Sequence, residues 1–595
     1  MHTLGFSLLI LLTQTSALVR GIDFARHADE DLPLLKLPWG TYEGYPLQED
    51  DNIYLFQDVR FGAKPELFSA PEFPWWTDHS IQPPLDGRSC ILVDTSQLDK
   101  PPGGENPIND PFDSDPNTSE DCLFLDLYVP KSVIDNPNGT PVPVVVWIHG
   151  GAFAFGSKNR LGPIGTGQSI LRASKYQTIF AAGNYRLGAY GWLAGDYMQS
   201  AGQTNAGLYD QALLFDWVQL YIGQLNGDKD QVSALGESAG ASSILHHLIR
   251  EGGTIDPTFS RFAVQSPAFE WAWDNSPNGQ LDKIYKNFSE LAGCGRNFDI
   301  DCLRSSKNLS DANQALFSTV KQTGLFPIGP AVDDVWVKTL PTISFANGDF
   351  WKEIRSTIIS HTMNEAASFA LSRINSKEAF DHFLASFLPG AKLESQRQQI
   401  AEQYNCTKLF DGNYTLCITT TIRDAAFTCN TRDLYSAYPS KSHMIQYGFP
   451  SPELANHASD LLPLFANSYD EVVQMLAPSL GELKAIAYAW LLVDTNLSTA
   501  YQTYFASFAA SGDPNGLSLP LVAGQQPPEW PIADGSDDKL AKVLTVQAPI
   551  NQEALVLASD EQNGRERCDF WTTLAKEIVE AQGLNQDAAT DYGEL

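Results

Sequence analysis

The sequence predicts an α/β fold built on one large, mostly parallel sheet with helices on both faces, and three observations carry that prediction. Several strand-length runs are apolar throughout, which suits strands buried on both faces rather than on one. These runs alternate with helical spacing from about residue 120 to 270. A glycine-rich turn, Gly236-Glu237-Ser238-Ala239-Gly240, falls between a strand pattern and a helix pattern.

Taken in order, residues 123–129 read as a strand, 142–148 (VPVVVWI) as a fully apolar one and 178–184 (TIFAAGN) as a third. Residues 206–225 have helical spacing, with Leu208, Leu213, Leu214, Trp217, Val218 and Ile222 as the apolar positions. A short strand at 232–235 and a helix at 239–249 flank the Gly-Glu-Ser turn. Helical pattern dominates from about 275 to 440, as at 378–388 and 393–404, with a strand at 355–360 (RSTIIS). Strand pattern returns at 443–449, and 543–546 reads as another. Motif positions lie on both sides of the helix-rich stretch. It is therefore expected to be an insertion or cap on a single domain covering 18–595, although 595 residues would suggest several domains on length alone.

Hydrophobic residues make up 43% of the chain, enough for a large core, so a disordered chain is excluded. The net charge of −32 disfavours phosphate backbones and anionic membranes, and nucleic-acid binding is not expected. Residues 4–12 (LGFSLLILL) are too short to span a bilayer and are followed by small residues, so 1–17 reads as a signal peptide cut after about Ala17. Its n-region has no Lys or Arg. No later run is long and apolar enough to be a membrane span. The cysteines are even in number, at 90, 122, 294, 302, 406, 417, 429 and 568, with no CxxC pair, which favours disulfides over zinc. N-x-S/T sequons at Asn117, Asn138, Asn287, Asn308, Asn405, Asn413 and Asn496 agree with secretion and N-glycosylation. No P-loop, H-E-x-x-H or G-x-G-x-x-G is present, so neither a metal nor an organic cofactor is expected.

The chemistry centres on Ser238. A sharp strand-to-helix turn lifts its hydroxyl above the sheet edge, and flanking glycines are needed because a Cβ there would collide with neighbouring backbone. Acyl transfer also needs N–H donors for the developing oxyanion. His149-Gly150-Gly151-Ala152 follows an apolar strand and can supply them with the N–H of Ala239.

A serine nucleophile needs a base, and the chain has ten histidines. His2, His27 and His79 lie near the N-terminus, His149 in the oxyanion loop, and His246 and His247 on the nucleophile's own helix. With this turn on such a sheet, the acid and then the histidine follow the serine in the chain. Of His361, His382, His443 and His457, the last lies in a polar loop soon after a strand and is the best candidate. The acid should follow a strand and precede His457. Glu365 does so, with Asp424 as the main rival.

These residues resemble the type-B carboxylesterase and lipase family, the cholinesterase-like α/β hydrolases, and in feel its secreted fungal members. Glu120-Asp121-Cys122-Leu123-Phe124-Leu125-Asp126 is similar to the family's E-D-C-L-x-L-N, with Asp126 replacing Asn. Asn184-Tyr185-Arg186-Leu187-Gly188, Asn205 to Gln211, Gly236 to Gly240, His457 to Pro463, Gly512-Asp513-Pro514-Asn515, Trp530-Pro531 and Cys568-Asp569-Phe570-Trp571 match further landmarks across nearly the whole mature chain. The resemblance implies an α/β-hydrolase fold, Ser238 as nucleophile, His457 as base and Glu365 as acid, in an N-E-A-A-S-F segment with Ala366 replacing glycine. It implies oxyanion donors at Gly151, Ala152 and Ala239, and disulfides Cys90–Cys122 and Cys294–Cys302. Cys406, Cys417, Cys429 and Cys568 allow three pairings, of which Cys406–Cys417 with Cys429–Cys568 is preferred.

The expected activity is secreted hydrolysis of a small-molecule carboxylic ester through an acyl-enzyme. Residues 91–121, a lid in this family, are rich in Asp and Glu with Phe112 as their one aromatic, so soluble esters are expected over triglycerides. Trp271 and Trp273 are candidates for lining the acyl or alcohol pocket, although ordinary core packing is the stronger expectation. Lipase activity, acyl transfer to a biosynthetic alcohol and a non-catalytic binding role are the competing readings.

Overall fold

The computed structural model describes residues 32–94, 117–159, 164–318, 325–368, 375–536 and 538–583. Residues 1–17, expected from sequence to be a signal peptide, and most of the acidic 91–121 loop lie outside them.

An eleven-stranded sheet runs Tyr45–Leu47, Asp50–Arg60, Phe124–Pro130, Ile179–Gly183, Val142–Ile148, Gly227–Glu237, Arg261–Gln265, Ser356–Thr362, Ser442–Tyr447, Leu540–Val546 and Leu555–Asp560. From Ile179–Gly183 to Leu540–Val546 the strands are parallel. Both edges are antiparallel. The apolar run at Val142–Ile148 explains the layering. Val144, Val146 and Ile148 point into one core, and Val145 and Trp147 into the core on the opposite face. The helix Ala206–Tyr221 covers the first face with Leu214, Trp217 and Val218. Leu497–Ser511 covers the second with Tyr501, Tyr504 and Phe505.

Several boundaries differ from the sequence reading, and two of them have clear physical reasons. The strand at 232–235 extends to Gly227–Glu237, because its polar half, residues 227–231, carries no apolar signal; there only Gly227 is in register, opposite Val142, before the ladder shifts and resumes at Val232. The helical spacing of 206–225 ends as α-helix at Tyr221 and closes in a 3₁₀ turn, Ile222–Leu225. Inside the helix-rich region, Ser356–Thr362 is a central strand, so its helices form two excursions from the sheet.

Disulfides join Cys90–Cys122, Cys294–Cys302, Cys406–Cys417 and Cys429–Cys568. Asp126, where the family has Asn, is buried and 2.7 Å from the fully buried Lys158 Nζ, which also sits 2.9 Å from Asp58. The extra charge is thus paired within the core, as a buried carboxylate requires.

Candidate active site

The groups singled out for catalysis converge at the carboxyl ends of the parallel strands, where open α/β sheets collect functional groups. Strand Gly227–Glu237 delivers Ser238, Val142–Ile148 delivers the Gly-Gly-Ala loop, Ser356–Thr362 precedes Glu365, and Ser442–Tyr447 precedes the loop carrying His457.

Ser238 has φ 55° and ψ −122°, a strained conformation held by its neighbours. Its N–H donates to the Gln265 carbonyl at 2.9 Å, and its carbonyl accepts from Ala268 N–H at 3.2 Å. A Cβ on Gly240 would stand 2.0 Å from the Ile148 oxygen, so the helix Ala239–Leu248 packs this closely on the neighbouring strand only with glycine there. Its N-terminus points at the serine and favours negative charge.

His457 Nε2 lies 2.8 Å from Ser238 Oγ, and Nδ1 lies 2.7 Å from Glu365 Oε2. All three side chains are buried. Ser266 Oγ and Thr362 N–H donate to Glu365 Oε1 at 2.5 and 2.7 Å. Burial alone would push the Glu365 carboxyl up, but the hydrogen bonds from His457, Ser266 and Thr362 hold it below the ordinary range. Burial pushes His457 down, and the charges of Glu237 and Glu365 more than reverse this, so its pKa is raised. The flanking loops are tied together. Asn364 N–H donates to the Ala455 carbonyl at 2.9 Å, and Asn364 Nδ2 donates to Asn456 Oδ1 at 2.8 Å.

In the oxyanion loop, Gly151 has φ +110° and Ala152 φ +51°. A Cβ on Gly151 would stand 2.1 Å from the Phe155 carbonyl oxygen. Gly151 accepts from Ala154 and Phe155, while the N–H groups of Gly151, Ala152 and Ala239 donate to no described acceptor. Ala152 lines the cleft above Ser238. His149 stacks on Tyr185 at 4.4 Å, and burial lowers it to about 4.

The rejected candidates have other partners. His361 pairs with Asp560 at 2.7 Å, and His443 packs on Trp530. His382 is exposed on the helix Lys377–Phe387. His246 and His247 are buried along the helix that follows Ser238. Asp424, the rival acid, accepts from Tyr404 and Arg423. Trp271 and Trp273 pack in the core, and the cleft is instead lined by Phe269 and Glu270 of the same segment. Sequence reasoning missed Glu237, whose Oε1 lies 3.2 Å from His457 Nε2; burial pushes its carboxyl up, and the charge of His457 draws it back down. Its place beside Ser238 was the available signal. Ser266 was missed because its contact with Glu365 spans 99 residues.

This sheet, with a strained serine at its central strand-to-helix turn, is an α/β-hydrolase fold. A model of the carboxylesterase family matches residues 31–571, and the chain belongs to that family. Among its relatives is a protein named "Secreted lipase" from Arthroderma benhamiae, 34% identical over 78% of this chain and 84% of that protein. "Carboxylesterase patB" from Aspergillus clavatus is 25% identical over 94% of this chain and 99% of that one. The crystal structure of Aspergillus niger EstA superposes with a TM-score of 0.72 at 24% identity, covering 92% of this chain and 99% of that chain. A thermophilic pNB esterase superposes with a TM-score of 0.68 at 21% identity, covering 90% and 100%.

Proposed function

We propose that the protein is a secreted serine carboxylesterase. Ser238 Oγ attacks the ester carbonyl while His457 Nε2 accepts its proton. Glu365 holds Nδ1–H and stabilises the imidazolium, and the N–H groups of Gly151, Ala152 and Ala239 receive the oxyanion. His457 returns the proton to the leaving alkoxide, and water then discharges the acyl-enzyme by the same steps in reverse. The observation that carries this reading is the unbroken Ser238–His457–Glu365 hydrogen-bond chain, with spacings of 2.8 and 2.7 Å. Secretion is supported by the four disulfides and by the name of the Arthroderma relative. N-glycosylation is supported by six exposed sequon asparagines, with Asn117 half-buried.

The acidic composition of residues 91–121 supports soluble esters as substrates. A second reading, lipase, is favoured by the name of that same relative. Hydrolysis of p-nitrophenyl esters from acetate to palmitate, by wild type and Ser238→Ala together, tests both. A short-chain optimum that vanishes in the variant is expected, with turnover reduced at least ~10⁴-fold. A palmitate optimum selects lipase, and equal activity in the variant overturns the serine mechanism.

A further inference from the structure

The cleft above Ser238 encloses about 460 Å³ including its open mouth, and its lining is nearly all apolar, with Phe153, Phe269, Phe326, Ile328 and Phe427 on its walls. Apart from Ser238, the one polar side chain lining it among the described residues is Glu270. Glu270 is half-buried, with desolvation the one influence acting on its carboxyl. It makes no hydrogen bond or ion pair with any described residue. The carboxyls nearer the serine differ. Glu365 accepts from His457, Ser266 and Thr362, and Glu237 lies against His457.

Glu270 is also held in place. Two residues before it, Ala268 N–H donates to the Ser238 carbonyl, and Asn430 Nδ2 donates to the Pro267 carbonyl at 2.9 Å. A carboxyl fixed among apolar walls without a partner costs folding free energy, and binding recovers it when the ligand brings a complementary group. Burial raises Glu270 to about 8, so near neutrality it is mainly a neutral acid that both donates and accepts. A hydroxyl has the same dual character, whereas a methyl group leaves the acid unpaired.

We propose that Glu270 determines specificity by binding a hydroxyl group carried on the acyl or the alcohol portion of the ester, which makes hydroxylated aliphatic esters the preferred substrates. The proposal rests on the carboxylesterase reading above and names a substrate class for that site.

The test uses two matched series with the full-length protein. One compares p-nitrophenyl esters of ω-hydroxy acids, six to ten carbons long, with esters in which CH₃ replaces the terminal OH. The other compares monoacetates of diols with acetates of alcohols of the same length. The ratio of kcat/KM, hydroxyl over methyl, is measured for wild type, Glu270→Gln and Glu270→Leu. The expected result is a ratio roughly tenfold lower in Glu270→Leu, in at least one series, and largely kept in Glu270→Gln. The series that responds identifies the side of the ester bearing the hydroxyl. A ratio unchanged by Glu270→Leu in both series overturns the proposal, while continued hydrolysis of the methyl-ended esters leaves the carboxylesterase reading standing. A folded wild type that hydrolyses no ester overturns both. Competitive inhibition of wild type by ω-hydroxy acids and diols, against plain acids and alcohols, reads the same preference without a variant. Equal inhibition by the two sets overturns the proposal.

Discussion

Glu237 sits in the sequence beside Ser238 and in space beside His457, 3.2 Å from its Nε2. In the proposed mechanism His457 must be neutral to accept the serine proton, so kcat/KM rises with pH through its pKa. That pKa lies above the usual imidazole value, with Glu237 the largest raising influence. Removing the negative charge stabilises the imidazolium less. Glu237→Gln should therefore move the acidic limb of the pH–rate profile to lower pH, as read from kcat/KM against pH. A limb that stays in place would show that Glu237 does not set the charge state of the base. The site residues separate into those legible from sequence and those not. Ser238 was legible because strand, glycine turn and helix are contiguous, and His457 because its rivals could be placed on elements. Glu237, Ser266 and Glu270 were not, because their roles depend on which loop ends the sheet brings together.

At the scale of elements, long apolar strands were the easiest to read. Val142–Ile148 matches its sequence boundaries, since every position is apolar or tolerated at a strand start. Margins such as residues 227–231, where only Gly227 keeps register with the neighbouring strand, left no apolar signal. Two elements far apart in sequence are locked by Cys429–Cys568, which ties the helix Cys429–Ala437 to Arg565–Gly583 across 139 residues. Closing so long a loop restricts the unfolded chain strongly. Replacing both cysteines with alanine should cost about 3–5 kcal/mol, read as a lower denaturation midpoint. An unchanged midpoint would mean that the packing of Trp571 and its neighbours, rather than the cross-link, holds the C-terminal helix. The Asn364–Asn456 link between the acid and histidine loops gives a second prediction. Asn364→Ala should lower kcat roughly tenfold with KM little changed, because it loosens orientation without touching the cleft lining. Steady-state kinetics on a single short-chain ester would read it.

At the scale of the molecule, charge dominates the pH response. Glu270 and Asp433 are raised by burial to about 8, well above their unfolded values. His361 and His457 are also raised, burial being outweighed by neighbouring carboxylates. Each of these groups holds in the folded state a proton that the unfolded chain gives up at its ordinary pKa, 4.5 for Glu, 3.8 for Asp and 6.5 for His, so between about pH 6.5 and 8 the folded state binds more protons than the unfolded one. Stability must fall over that window, and the net charge of −32 acts in the same direction. The histidines lowered by burial, His149, His246 and His247, titrate below it and do not oppose the trend there. Thermal melts in buffers across that range should show Tm decreasing steadily. A Tm that rises with pH would mean that these acids are solvated in the folded protein. The acidity itself was evident from composition, whereas which carboxyls are buried was visible only once the fold was known.

The central claim is that Ser238, activated by His457, is the nucleophile. It is tested most directly by treating the protein with a fluorophosphonate and locating the adduct by peptide mass spectrometry. The account predicts one phosphonyl group on the peptide containing Ser238, activity lost in step with labelling, no adduct in Ser238→Ala, and labelling slowed by orders of magnitude in His457→Ala. Inactivation with the adduct on another residue, or an unlabelled protein that still hydrolyses esters, would contradict it.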